Sequence, residues 1–499
     1  MKKTTFSILS ICIAITYGYT NANAQTISAG SFHTAVICSN DSVVSAWGAN
    51  ANGQLGMNDT TQELSPLRVH GPGNVGFLKN IKQIVIRENF SIALMYDSTV
   101  WAWGFNGDGE LGNNTTTDSW VPVQVHGPGN VGHLTGITQI SAGYAHVLAL
   151  KFDGTVWSWG DNFNGELGDS TTTNRNTPVQ VHGVSNILFL TGVTQIAAGQ
   201  QFNVALIAGG NVLAWGLDTN GELGDNSLKD KYVPVQVHGA NNIGFITGVT
   251  ALAAGGQHAL ALRTDSTVWS WGLNVNGELG NNTVMIDSVP AEVHGPGNVG
   301  FLTGVTFIKA GDYFSGAIKG DSTVWTWGFN YYGQLGVNDT TERNTPVQVH
   351  GAGNSGFLHG IVEIALGDEH AIAKKSDGSF WSWGWNGNGQ LGDGSSTDRW
   401  TPVSVISPCS PTLGVQNLKN ATTVNVYPNP ASAIITIDCG KNLVTELRIY
   451  NTLGQQVYGS TLSHNSVQYV NVASFQSGVY LAQLYTNNGL IQTKFIVQK

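Results

Sequence analysis

Asp153-Gly154-Thr155-Val156-Trp157-Ser158-Trp159-Gly160, followed by Asn164-Gly165-Glu166-Leu167-Gly168 and Pro178-Val179-Gln180-Val181-His182-Gly183, is a frame that the chain writes seven times. Its Trp-Gly pair recurs at Trp47, Trp103, Trp159, Trp215, Trp271, Trp327 and Trp383, at a constant step of 56 residues. An A-G-x-x-[His/Phe] block precedes most of these pairs. Repeats decide the architecture before any local reading does. Within one unit, Val193–Ala198, Val204–Ile207, Val212–Trp215 and Pro234–Val237 have strand character and are separated by Gly/Asn/Asp turns. Four strands in each of seven units predict an all-β protein, a seven-bladed β-propeller. No run of twelve or more residues has a 3.6 period, so few helices are expected.

Composition agrees. Only 11% of the 499 residues are charged, while glycine reaches 64 and tryptophan 15. Abundant aromatics argue against disorder, and glycine without an every-third period argues against collagen. Thr26-Ile27-Ser28-Ala29-Gly30 matches Gln139-Ile140-Ser141-Ala142-Gly143, and the last unit stops near Pro402–Ile406. The N-terminal strand is therefore expected to close the last blade, which removes free sheet edges.

The ends of the chain carry addresses. Residues 1–24 combine Lys2 and Lys3, an apolar run from Phe6 to Ile15 and Ala22-Asn23-Ala24, the pattern of a secretory signal peptide. The propeller is assigned to 25–406, a linker to 407–423 and a small C-terminal β-sandwich to 424–499. Residues 25–418 hold 15 Lys+Arg and 30 Asp+Glu, net −15, and residues 419–499 hold 5 and 2, net +3. The acidic body has no footprint for nucleic acid, and no later stretch predicts a membrane-spanning segment.

The blocks A-G-x-H, D-G-T-V-W-S-W-G and N-x-x-G-E-L-G resemble the repeat of the regulator-of-chromosome-condensation family over residues 26–406, in its bacterial form. That family's name-giving activity is nucleotide exchange on a nuclear GTPase with chromatin binding. Other secreted bacterial propellers of this kind, such as certain β-lactamase inhibitors, bind proteins through their loops. At the other end, Tyr427-Pro428-Asn429-Pro430, Leu453-Gly454, Gly478-Val479-Tyr480 and Lys494 through Lys499 resemble the C-terminal sorting domain of the type IX secretion system. The resemblance implies export through the periplasm and outer membrane by that machinery, to the cell surface or beyond.

Internal copies show what each slot needs. The [Glu/Gln]-Leu-Gly slot holds Gln54, Glu110, Glu166, Glu222, Glu278, Gln334 and Gln390. Gln cannot serve as an acid or base, so the slot needs an acceptor oxygen in a turn. The slot His33, Phe90, His146, Phe202, His258, Phe314, His370 accepts Phe and therefore needs a packing ring; its histidines are expected to bond to backbone. A second column, His70 to His350, recurs in six units and reads as separate turn histidines. The two Trp of W-x-W, which take 12 of the 15 tryptophans, are expected to be buried between blades. No metal, cofactor or catalytic residues are assigned: no Ser/His/Asp frame, phosphate loop or nucleophilic Cys signature is present.

Residues that break the copy carry the functional signal. Phe105, Phe163, Phe329, Tyr331, Tyr332 and Trp385 lie in the variable W-G-x-N-x-x-G turns and are the candidates for one partner-binding rim; packing on a neighbouring blade is the other reading. The expected ligand is a protein, with a glycan as the alternative. A glycan binder built from equivalent sites should show the same exposed aromatic in most units, and these turn columns do not. Cys38 stands where other units carry Met95, Lys151, Ile207, Arg263, Lys319 and Lys375, a pattern that suggests an accessible site. Cys409 follows the last blade, so a Cys38–Cys409 disulfide is expected at the ring closure in an oxidising compartment.

Overall fold

A computed structural model describes residues 26–39, 41–409, 424–439, 443–451, 455–486 and 489–499. The signal segment 1–24, linker residues 410–423, and Leu453 and Gly454 lie outside the described residues. Seven antiparallel four-stranded sheets follow in chain order. Blade 1 runs from Ile27 to Arg68, blade 2 from Ile81 to Gln124, blade 3 from Ile137 to Gln180 and blade 4 from Val193 to Gln236. Blades 5, 6 and 7 run Val249–Glu292, Val305–Gln348 and Ile361–Ser404. The first strand of each blade lines a central cavity. Among the described residues, no helix is long and apolar enough to cross a membrane.

One tryptophan column holds the blades together. Trp47, Trp103, Trp159, Trp215, Trp271, Trp327 and Trp383 are fully buried. Each indole Nε1–H donates to the backbone carbonyl of the Glu/Gln slot in the preceding blade, from Trp103 to Gln54 (2.9 Å) through Trp383 to Gln334 (2.9 Å). Trp47 closes the cycle on Gln390 at 2.8 Å. A ring of this size is the largest apolar unit available, and its one polar atom is satisfied, so nothing opposes its burial. The following glycine is forced by this contact: at Gly112, φ is +58° and a Cβ would lie 2.9 Å from Trp159 Nε1. The first tryptophan of W-x-W departs from expectation. Trp157, Trp269, Trp325 and Trp381 are only half-buried, beneath Lys151 (5.0 Å), Arg263, Lys319 and Lys375. The side chain across the hairpin is a cation that stacks on the ring and keeps its charge in water.

The His/Phe slot is buried, but its partners are side chains of the next blade, not backbone. His33 Nε2 meets Ser91 Oγ (3.0 Å), His146 meets Asn203 Oδ1 (2.8 Å), His258 meets Ser315 Oγ (2.8 Å) and His370 meets Thr34 Oγ1 (2.8 Å). The hydroxyls of Ser91, Ser315 and Thr34 already donate to the carbonyls of Gln54, Glu278 and Gln390. They must therefore accept from the imidazole, which fixes the neutral Nε2–H tautomer. Where the slot holds Phe90, Phe202 or Phe314, the facing residue is Val147, Ala259 or Ala371. Polar faces polar and apolar faces apolar, because an unpaired buried hydroxyl costs about 1–3 kcal/mol.

The N-terminal strand does seal the junction with the last blade, but not as that blade's missing strand. Ile27–Ala29 pairs with His33–Ile37 inside blade 1, and blade 7 supplies all four of its own strands. The phase of the repeat explains this. The first run of each unit turns tightly into the strand after it, with Gly30 N–H bonded to His33 O at 3.0 Å. No strand is therefore missing at residue 406. Closure comes from Glu363, whose Oε1 accepts from Thr26 N (2.7 Å) and Ile27 N (3.2 Å), and from a Cys38–Cys409 disulfide with Cα atoms 5.1 Å apart. Cys38 is buried rather than accessible. It occupies the position at which other blades place a cation over Trp, and blade 1 has Ser45 in place of that Trp.

The C-terminal unit packs a three-stranded sheet and a four-stranded sheet around one core that includes Ile435, Leu447, Val470, Tyr480 and Phe495. The sorting-motif residues tie its C-terminal strand in place. Asn429 Oδ1 accepts from Ile496 N (2.8 Å), Lys499 N donates to Ser477 Oγ (3.1 Å), and Tyr480 lies between Phe475 and Phe495 with its hydroxyl on Gln476 O. Tyr427 and Lys494 are exposed.

Candidate binding face

The turns after strands 1 and 3 of each blade meet at one end of the propeller. The amide of the residue after Trp-Gly donates to the strand 1–2 turn: Phe329 N to Tyr313 O (2.9 Å), Trp385 N to Glu369 O (2.8 Å) and Ala49 N to Phe32 O (2.8 Å). These bonds hold the variable loops beside the mouth of the central channel.

Four of the six sequence candidates converge. Phe329 stacks with Tyr331 at 6.4 Å, Tyr331 meets Tyr332 edge-on at 5.0 Å, and Tyr332 lies 6.0 Å from Trp385. Two residues outside the predicted set extend the chain of rings. Tyr313 sits 6.2 Å from Phe329 and Phe32 sits 5.8 Å from Trp385. The resulting arc, Tyr313–Phe329–Tyr331–Tyr332–Trp385–Phe32, crosses blades 6, 7 and 1. Tyr331 is 67% exposed, whereas Phe329, Tyr332 and Trp385 are half-buried, so the arc combines exposed and packed rings. Phe105 and Phe163 do not join the arc. Phe105 is half-buried against Gly107, and Phe163, 77% exposed on blade 3, has no ring partner among the described residues. A signal for the missed pair was present: the column Phe32, Asn89, Ala145, Gln201, Gln257, Tyr313, Glu369 turns aromatic only in blades 1 and 6.

Carboxylates border the arc. Burial, and then the neighbouring charge of Asp312, pushes Asp368 well above the usual carboxylate range. Glu369 is raised by burial and by Asp312 and Asp398, and it in turn raises the Tyr332 phenol. Glu88 is raised by burial despite its bond from Tyr144, whose own hydroxyl is held up to about 12 by that bond. Gln200 Nε2 donates to Asp312 Oδ2 at 2.5 Å. Beneath these acids Arg87 replaces the glycine found in six blades. Its Nε donates to Ala142 O (2.9 Å), its Nη2 to Ala198 O (3.3 Å), and its Nη1 lies 3.5 Å from Asp312. Touching blades 3, 4 and 6 from blade 2, this guanidinium spans the axis and plugs this end of the channel.

The repeated slots carry structure rather than chemistry. In all seven blades the Glu/Gln side-chain oxygen accepts a backbone N–H two residues upstream, as Gln54 does from Asn52 (2.9 Å) and Glu166 from Asn164 (2.8 Å). Burial raises Glu110 to about 8, and Glu166 and Glu222 to about 7. The second histidine column caps its own turn, with His70 Nδ1 to Asn74 Oδ1 at 2.6 Å and the same bond in the five later copies. Among the described residues no three His, Cys, Asp or Glu side chains come together as metal ligands.

Two family models match the chain. The RCC1-like domain matches residues 16–297 and again 128–445, and the secretion system C-terminal sorting domain matches residues 425–498. The ultraviolet-B receptor UVR8 of Arabidopsis thaliana is 27% identical over 374 residues, 75% of this chain and 79% of that protein. The RCC1 domain-containing mitochondrial protein RUG3 of the same plant is 28% identical over 381 residues, covering 73% and 80%. Among solved structures, human WBSCR16 superposes with a TM-score of 0.60 at 22% identity, covering 73% of this chain and 94% of that one. Yeast RCC1 (Prp20), in its complex with Kap60, gives 0.60 at 20% identity, covering 82% and 90%. At these identities the structures share the fold.

Proposed function

The chain belongs to the RCC1-like domain family and bears a sorting domain that directs secretion to the cell surface or outside, and from that premise we propose that its propeller is a non-enzymatic binding module for a protein partner, exported by the type IX machinery. The observation that carries this reading is the six-ring aromatic arc bordered by carboxylates. Rigid aromatic side chains give large contact area at low entropic cost and dominate binding energy at protein interfaces. Seven-fold copying would scatter aromatics evenly, whereas this arc is confined to three adjacent blades, as a single asymmetric partner requires. The acidic border favours a partner that presents lysine or arginine there. The test is capture of surface and medium proteins on the full chain, comparing wild type with Phe329→Ala/Tyr331→Ala/Trp385→Ala. Loss of a specific partner from the variant supports the reading; equal recovery by both overturns it.

A second reading, attachment to a glycan, is favoured by one specific feature at the other end of the blades. Phe77, Phe189, Phe245, Phe301 and Phe357 are each about half exposed and meet the turn histidine edge-on or tilted at 5.5–6.4 Å, with His133 taking the place of Phe in the remaining copy. An exposed aromatic repeated in six blades is the pattern that multivalent attachment to a repeating polymer needs. Glycan-array binding that survives the triple arc substitution would favour this reading.

A further inference from the structure

One carboxylate beside the arc is neither copied nor used by the fold. The turn column Phe32, Asn89, Ala145, Gln201, Gln257, Tyr313, Glu369 holds one charged residue among neutral ones. In two blades the side chain at this position braces the loop of the preceding blade. Asn89 Oδ1 accepts from Gln54 Nε2 (3.4 Å), and Gln257 Oε1 accepts from Asn220 Nδ2 (2.9 Å). Gln334 is the counterpart of Gln54 in the blade before Glu369. It is fully buried, and its Nε2 has no hydrogen-bond partner among the described residues. Glu369 therefore leaves that brace unmade, and among the described residues its carboxylate takes part in no ion pair or hydrogen bond.

Rings surround this carboxylate. Its charge is the leading cause that raises the Tyr332 phenol, and after burial, Asp312 and Asp368 it also contributes to the rise of Tyr313. Its backbone carbonyl holds the Trp385 amide at 2.8 Å. Tyr332 and Trp385 lie 6.0 Å apart with their planes inclined at 49°, and Tyr331 stands edge-on to Tyr332 at 5.0 Å. Burial, and then the charges of Asp312 and Asp398, raise Glu369, with no cation of the described chain acting against them. Such a place suits a cation that gives up water readily and has a flat face to lay on a ring. A guanidinium has both properties and forks onto a carboxylate through two parallel N–H bonds. An ammonium is a compact, strongly hydrated point charge without a planar face.

We propose that the arc receives an arginine side chain of the protein partner, its guanidinium lying on Tyr332 and Trp385 and forked onto the Glu369 carboxylate. This rests on the reading of the arc as the protein-binding face, and it names the partner residue that anchors there. The rings supply contact area, and Glu369 sets the specificity.

The test uses the full chain and a random peptide-display library, panned in parallel on wild type and on Phe329→Ala/Tyr331→Ala/Trp385→Ala. Peptides retained by wild type alone are expected to share one arginine. They are then synthesised with arginine, lysine or citrulline at that position; citrulline keeps the shape and lacks the charge. Calorimetry is expected to show the arginine form at least about tenfold tighter than either other form, its lead over citrulline narrowing as salt rises. Glu369→Gln takes the residue type of Gln201 and Gln257 in its own column and should fold. It is expected to weaken the arginine peptide at least about tenfold and leave the citrulline peptide unchanged, whereas a purely structural role for Glu369 would weaken both alike. Arc-dependent peptides without a shared arginine, lysine or citrulline binding as tightly as arginine, or equal loss of both peptides in Glu369→Gln would each overturn this inference and leave the protein-binding reading standing. Recovery of no peptide that depends on the arc would overturn both.

Discussion

Replacing Glu110 by Gln should stabilise the propeller in a pH-dependent way. Glu110 is 1% exposed; its Oε2 accepts from Asp108 N at 3.0 Å, and its Oε1 has no hydrogen-bond partner among the described residues. Burial moves its carboxyl from 4.5 to about 8. The unfolded chain therefore loses this proton near 4.5 while the folded chain keeps it to about 8. Between those values unfolding releases a proton, so rising pH favours the unfolded state. At 1.36 kcal/mol per unit, the penalty at pH 7 is about 3 kcal/mol. Gln keeps the acceptor oxygen and never ionises, and its orphan Nε2 is the condition that Gln334 and Gln390 already tolerate. Denaturant titration followed by tryptophan fluorescence should show wild type and Glu110→Gln equal near pH 4.5. The variant should gain about 3 kcal/mol by pH 7 and level off near pH 8. A gain independent of pH, or a loss at high pH, would falsify the argument that a titrating buried carboxyl is the cause. Gln334→Glu should show the opposite sign.

Other outcomes are fixed by the same contacts. His258→Phe strands the accepting side of Ser315 Oγ and should cost about 1–2 kcal/mol, whereas His258→Phe/Ser315→Ala copies the Phe202/Ala259 pair and should recover most of it, a coupling readable in a double-mutant cycle. His33, His258 and His370 are held near about 3, and His146 near about 4, by burial. Their stabilisation is complete above the ordinary value of 6.5 and is lost as pH falls toward about 3. Acid unfolding should therefore begin below pH 6.5, and the double variant should flatten that limb. Cys409→Ser opens a cross-link spanning 371 residues and should lower stability by about 3–5 kcal/mol, an effect that reductant should reproduce on the wild type but not on the variant.

The repeat made much of this legible in advance. Seven equivalent copies supply their own substitution record, so the buried tryptophan column, the acceptor role of the Glu/Gln slot and the ring-packing role of the His/Phe slot all followed from which residue types share a position. Local chemistry repeats with the local sequence, and therefore the sequence by itself determined the blade, the number of blades and the sorting domain. The tertiary structure decided the relations between non-equivalent residues. It placed Ile27–Ala29 in blade 1, because the tight turn at Gly30 acts before any pairing across the ring. It set Phe32 and Tyr332 against Trp385, joining rings of the first and the last two blades into one arc. It brought Arg87 and Lys309, 222 positions apart, to one cavity. A closed ring makes neighbours of residues that the chain holds far apart, and only closure reveals which departures from the copy face each other.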